Sequence, residues 1–267
     1  MNTISSFVQR YSLLTFFALA YGFSWGSYYL LSAPFLFPLG AILAALIVAS
    51  LSQGRAGLKE LWSRCMRWRV GFRWYAAAVF VPVGLALGAA GLSILLGAQV
   101  STAIQLAPWY SFFTFFPLAL LDAPLMEETG WRGYALPRFA SSRSPLANTL
   151  ILGVLLAGWH LPLALGAGPL AAPYLIGTVA SAVLTNWVYY NAGESALLAM
   201  VYHTAANTMG GAGFNLFQIF TDSDAVRIWW LLAAVNCAAA VVLTLVAWPF
   251  QDKSSVAQKI QASSADA

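Results

Sequence analysis

Few places in this chain can support acid–base chemistry. Glu127-Glu128-Thr129-Gly130-Trp131-Arg132 brings two carboxylates and a guanidinium together, His160 follows in an apolar run, and His203-Thr204-Ala205-Ala206-Asn207 closes the series. The sequence has only two histidines, and both lie between Glu127 and Asn207. Histidine ordinarily titrates near neutral pH, so a pair of them on apolar segments are candidates for proton handling. On a helix, Glu128 and Arg132 are four apart and share a face, with the acid on the favourable N-terminal side, while Glu127 points about 100° away. That asymmetry predicts an ion pair of Glu128 with Arg132 and a Glu127 that faces a cavity and can change protonation. Two adjacent carboxylates at low dielectric resist joint ionisation, which favours one as a poised base. The plainer arrangement of the same three residues is a solvated ion-pair cluster at a helix end. His203 and Asn207 are also four apart on one face, and the plainer role for either histidine is a hydrogen bond to a neighbouring helix.

These groups must be positioned by greasy elements. Of the 267 residues, 60 % are hydrophobic, 15 % aromatic and 8 % charged, against roughly 25 % charged in an ordinary soluble domain. The composition is that of an integral membrane protein, and its unbroken apolar segments predict an all-α polytopic bundle forming one domain over residues 1–250. About eight apolar stretches can span a hydrocarbon core: 12–32, 33–52, 75–96, 109–126, 146–166, 170–190, 195–213 and 227–250. The first junction, Ser32-Ala33-Pro34 with Pro38, predicts a tight turn. Arg10 before an apolar run containing Ala18-Leu19-Ala20 resembles a secretory signal, but the run is too long and the next span follows at once, so it reads as an anchor. Gly153, Gly158, Gly210 and Gly211 allow close helix packing, within or between chains alike, which leaves the oligomeric state open.

Eight alternating crossings place every Lys and Arg except Arg227 on one side, which is then the cytoplasm, with both termini there. The basic link 54–74 interleaves Trp62, Trp68 and Trp74 with arginines, as suits either topology determination or a helix resting on anionic lipid headgroups. The formal charge of +4 is modest and suggests no nucleic-acid partner. The tail 251–267 is polar and unpatterned and is expected to be disordered. Cys65 and Cys237 have neither a disulfide framework nor metal-type spacing.

Depth poses one condition. Simple spans put Glu127 at the cytoplasmic end of the fourth, whereas His160 lies some 14 residues, about 21 Å, into the fifth. The groups can meet only if the segment 124–133 is broken or runs deeper than hydropathy suggests, so that Glu127 lines a wet cavity.

The motifs Glu-Glu-x-x-x-Arg at Glu127, Glu128 and Arg132, a histidine ending a span at His160, and His-x-x-x-Asn at His203 and Asn207 resemble the CPBP family of intramembrane proteases. That family includes CAAX prenyl endopeptidases of the Rce1 type and bacteriocin-processing and immunity proteins. Gly130-Trp131-Arg132-Gly133-Tyr134 is also similar to many bacterial members. The motifs cover about eighty residues, and Leu156 stands where the family's second motif usually has Phe. The resemblance implies a bacterial cytoplasmic-membrane endopeptidase needing no metal or cofactor, acting on a membrane-bound or lipidated protein. Glu127 and His160 would hold and deprotonate the attacking water, His203 and Asn207 would donate to the oxyanion, and Glu128 and Arg132 would support the site.

Other readings use the same groups. Two histidines and a carboxylate could form a zinc site, although no His-Glu-x-x-His is present. A non-catalytic scaffold or immunity protein could retain the fold. A proton-coupled transporter also places such groups in spans, but no paired repeat with broken helices is evident.

Overall fold

The computed structural model describes residues 3–32, 35–100, 108, 110–210, 216–221 and 224–246. Over these residues the named elements are helical, and an isolated bridge joins Val100 to Phe220. The α-helices are α1 (Thr3–Arg10), α2 (Ser12–Leu30), α3 (Leu39–Cys65), α4 (Phe72–Leu95), α5 (Ser111–Leu120), α6 (Ala123–Glu128), α7 (Pro145–Trp159), α8 (Leu161–Gly166), α9 (Ala171–Asn191), α10 (Ala196–Gly210) and α11 (Ala225–Val246). A π-helix over Thr129–Ala135 follows α6, and short 3₁₀ turns occupy Leu136–Arg138, Gly168–Leu170 and Leu216–Ile219.

Among the described residues four helices, Leu39–Cys65, Phe72–Leu95, Gly168–Asn191 and Ala225–Val246, are long and apolar enough to cross a membrane, and Pro145–Trp159 is a shorter apolar helix. The remaining expected spans take other forms. The first is α2, whose second half carries Ser24, Trp25, Ser27, Tyr28 and Tyr29 and is correspondingly less apolar. The fourth is broken: α5 stops at Leu120, Asp122 adopts an extended conformation (φ −92, ψ −133), and Pro124 opens α6. Pro124 suits a first turn, where its missing N–H costs nothing. The tail 251–267 and the expected span residues 33–34, 109, 211–213 and 247–250 lie outside the described residues, Gly211 among them.

The basic link differs from a plain loop. α3 bends at Gly54 (φ 58, ψ −138) and continues to Cys65, so the first half of the link is helical. Gly54 permits that left-handed conformation, and the Glu60–Arg64 pair at 2.5 Å supports the turns beyond it. Arg138 reaches Gln53 at 2.8 Å and Glu60 at 3.1 Å, Arg67 donates to the Gly193 carbonyl, and Ser195 donates to the Arg67 carbonyl at 2.6 Å. Arg227 sits elsewhere, on Asp224 at 2.7 Å and near the Leu96 carbonyl. Leu96 follows α4, whose 24 residues rise about 36 Å from the basic link. The arginines are therefore sorted between opposite ends of the helices, with Arg227 alone at its end among those contacts. Outer faces are apolar and exposed, as at Leu95 (84 %) and Val246 (81 %), which suits helices solvated by hydrocarbon in a multi-pass membrane protein.

The core that fixes the motif is built from small residues. Ala41, Ala44, Ala45, Val48 and Ala49 of α3 are fully buried, and α3 packs on the π-helix. Trp131 and Tyr134 are clamped by α2, with Phe16 at 5.5 Å from Trp131 and 5.1 Å from Tyr134, and Trp131 meets Trp159 of α7 edge-on at 5.6 Å. Gly153 sits against Val179 and Ala182 of α9, and Gly158 against the Tyr21 hydroxyl.

Gly130 makes the closest approach. A Cβ there would lie 2.8 Å from both the Cβ and the carbonyl oxygen of Ala41. Gly130→Ala is expected to cost about 1–3 kcal/mol through overpacking, read as a lowered Tm of the detergent-solubilised protein. Gly84→Ala in α4, where nothing lies within 4 Å, is the control and should be neutral or stabilising.

Candidate active site

The two adjacent glutamates end α6 and feed the π-helix. A π-helix is rare, and its wider i→i+5 pitch rotates side chains away from their α-helical positions. Both carboxylates are buried, Glu127 at 6 % and Glu128 at 2 % exposure, with Arg132 at 3 %. Arg132 Nη1 donates to Glu128 Oε1 at 2.9 Å and to Oε2 at 2.8 Å, so the pair expected from the spacing forms across the α-to-π junction. Glu127 diverges from that pair; the Trp131 indole lies beside it. A solvated cluster is excluded by this burial.

His160 stands at the junction of α7 and α8, where Pro162 prevents a continuous helix. Its Nδ1 lies 2.9 Å from the Leu156 carbonyl oxygen, which also accepts the His160 N–H at 3.0 Å. A carbonyl only accepts, so Nδ1 carries the proton and Nε2 keeps a lone pair in the neutral ring. The partner is the backbone carbonyl of Leu156, a group that Leu supplies as well as Phe. Trp159 and Tyr174 flank the imidazole edge-on at 4.6 and 5.5 Å.

α10 presents His203, Ala206, Asn207 and Gly210 on one face, and these line a cavity while Thr204, Ala205 and Thr208 beside them are fully buried. His203 Nδ1 lies 2.9 Å from Glu128 Oε1. A carboxylate accepts, so this ring also carries its proton on Nδ1, and its 21 % exposed side chain reaches the cavity from a charged support.

That cavity, about 420 Å³, brings the candidates together. Glu127, Glu128, Arg132, His160, His203 and Asn207 all line it. Its opposite wall is furnished by α4, α9 and α11, with Leu85, Tyr174, Trp229 and Asn236 among the lining residues. Glu127 and His160 line one cavity, and the helical run leading to Glu127 is interrupted at Leu121–Asp122, just before the segment 124–133 in which a break was expected. Among the described residues no three His, Cys, Asp or Glu side chains are grouped so as to hold a metal ion.

Two buried polar residues escaped the reading of the sequence. Asn186 of α9 accepts from Arg132 Nε at 2.8 Å, and Thr149 of α7 accepts from Asn186 Nδ2 at 3.1 Å. The available signal was an amide inside an apolar span, which needs a partner there.

Residues 108–209 match the family described as Type II CAAX prenyl endopeptidase Rce1-like. CAAX prenyl protease 2 of Methanococcus maripaludis is 26 % identical over 166 residues, covering 57 % of this chain and 58 % of that protein. The chain thus matches less than two thirds of that relative's length. The family match spans the whole site from Glu127 to Asn207, so the site-bearing part of this chain is similar to Rce1-like CAAX prenyl endopeptidases.

Proposed function

We propose that this chain is a glutamate-dependent, metal-independent intramembrane endopeptidase that hydrolyses a peptide bond of a membrane-bound or lipidated protein. The observation that carries the reading is the convergence of Glu127, His160, His203 and Asn207 on one cavity in a bundle otherwise poor in polar groups. The family match supports proteolysis, and the name of the relative suggests a prenylated substrate.

The reaction follows from the donors and acceptors. Glu127 takes a proton from water while His160 Nε2 accepts the water's other hydrogen and aims its oxygen, general-base help worth about 10² to 10⁴. As the water oxygen bonds to the scissile carbon, the carbonyl electron pair moves to its oxygen. His203 Nε2 and the Asn207 amide donate to that oxyanion. With Nδ1–H committed to Glu128, a second donor on His203 requires the imidazolium, whose charge the Glu128 carboxylate offsets. Collapse of the intermediate re-forms the carbonyl, breaks the C–N bond, and passes the proton on Glu127 to the departing amine. The products are a carboxylic acid and an amine.

The topology that fits this reading has about eight crossings, both termini in the cytoplasm of a bacterium and a single domain over 1–250. The basic link 54–74 then faces the same side as the Arg138 end of the motif, which it contacts through Glu60. The cavity opens within the bilayer, where lipids and a lipid-anchored substrate can enter.

The test is cleavage of a panel of membrane-anchored and lipidated peptides by the purified protein and by Glu127→Ala, both with chelator present. Metal-independent cleavage that disappears in a folded variant is expected. Cleavage lost on chelation would favour the zinc chemistry, and no cleavage of any peptide would favour a scaffold or immunity role.

A further inference from the structure

We infer that Asn186 and Thr149 are positioning residues that hold His203 in register through Arg132 and Glu128; this rests on the proposed peptidase reading. Five side chains from five elements form one unbroken series. Thr149 Oγ1 accepts from Asn186 Nδ2 at 3.1 Å, Asn186 Oδ1 accepts from Arg132 Nε at 2.8 Å, Arg132 Nη1 donates to both oxygens of Glu128, and Glu128 Oε1 meets His203 Nδ1 at 2.9 Å. Thr149 and Asn186 are fully buried and do not line the cavity, so neither can touch a substrate there.

The geometry of Arg132 explains why the far end of the series matters. A guanidinium free to choose pairs with a carboxylate through two nitrogens side by side. Here Nε is occupied by Asn186, and a single nitrogen, Nη1, serves both carboxylate oxygens. Freed from Asn186, the guanidinium would turn Nε toward Glu128 and form the two-nitrogen fork. The carboxylate would swing with it, and Oε1, which now serves both Arg132 and His203, would leave the imidazole. Arg132 sets the direction of the amide, since a flipped Nδ2 would set donor against donor at Nε, and the Thr149 hydroxyl anchors the far end by accepting from Nδ2, which fixes where Oδ1 sits. The same hydroxyl also meets Tyr190.

The experiment compares Thr149→Val, Thr149→Ser and Asn186→Leu with the parent in detergent micelles, using peptide cleavage and the exchange rate of the His203 Nδ1 proton in ¹⁵N-histidine-labelled protein. The chain has two histidines, so His160→Gln assigns the two ring signals. Thr149→Val preserves side-chain shape, and is expected to lower kcat about tenfold with KM within about twofold, the signature of an interaction made in the transition state. The His203 Nδ1 proton should exchange about tenfold faster in the same variant. Asn186→Leu should do both more strongly, and Thr149→Ser, which keeps the acceptor, should match the parent. Parent-like kcat and parent-like exchange in Thr149→Val would overturn the inference, as would activity falling only in step with the folded fraction while exchange stays unchanged. Should the parent cleave no peptide, the peptidase reading is what fails, and the exchange rates alone decide whether the series positions His203.

Discussion

Glu127→Gln is expected to lower kcat by about 10² to 10⁴, the range for removing a general base, while changing folding stability by less than about 1 kcal/mol. Both halves follow from where the carboxyl lies. It lines the cavity beside the Trp131 indole and outside the Glu128–Arg132 pair, so an amide of the same shape keeps the packing and leaves that pair intact. The amide cannot take a proton from water, and the lone pair on His160 Nε2 can orient that water without replacing the carboxylate. Glu127→Asp draws the carboxylate back by about 1 Å, a displacement that can itself cost about 10², so it should fall between parent and Gln. Asn207→Ala is expected to cost about 10² to 10³ through loss of one oxyanion donor. Single-turnover cleavage with circular dichroism and thermal unfolding on the same samples measures each. A Gln variant that keeps the parental kcat would move the base away from Glu127 and end the glutamate-dependent reading.

Much of this site was legible because its chemistry is local in sequence. The four-residue spacing of Glu128 and Arg132, and of His203 and Asn207, places each pair on one helical face whatever the tertiary structure does. The mismatch in depth between Glu127 and His160 demanded a broken segment, and the break appears at Leu121–Asp122, with the π-helix just beyond. Other features depend on partners distant in sequence. Asn186 is a buried amide near the end of α9, and only the packing of α7 against α9 and the reach of Arg132 give it neighbours 37 and 54 positions away. The coupling of Glu128 to His203 spans 75 positions. Hydropathy could separate the basic link from the second span, but it could not show the helix running on through Gly54, because the bend rests on a single positive φ.

Glu128 and Arg132 should behave oppositely to Glu127, with the largest effect falling on folding. Removing one partner of a buried ion pair typically costs about 3–5 kcal/mol, because the survivor is left charged and unpaired. Glu128→Ala would strand the Arg132 guanidinium on Asn186 alone and leave His203 Nδ1 without its acceptor. Arg132→Met would leave the buried Glu128 carboxylate with only His203. Each single variant is therefore expected to lose about 3–5 kcal/mol, read from denaturant unfolding in mixed micelles. The double variant Glu128→Ala with Arg132→Met leaves neither member of the pair buried without the other, so it should be less destabilised than the sum of its singles by about 1–3 kcal/mol, the coupling typical of contacting residues. The double variant should still fail in cleavage, since alanine at position 128 supplies neither acceptor nor counter-charge to a doubly protonated His203. Additive losses, with no coupling between the two positions, would mean that the pair contributes nothing as a pair and that the support of His203 must be sought elsewhere. Recovery of folding without recovery of cleavage would instead separate what the pair does for the bundle from what Glu128 does for the histidine.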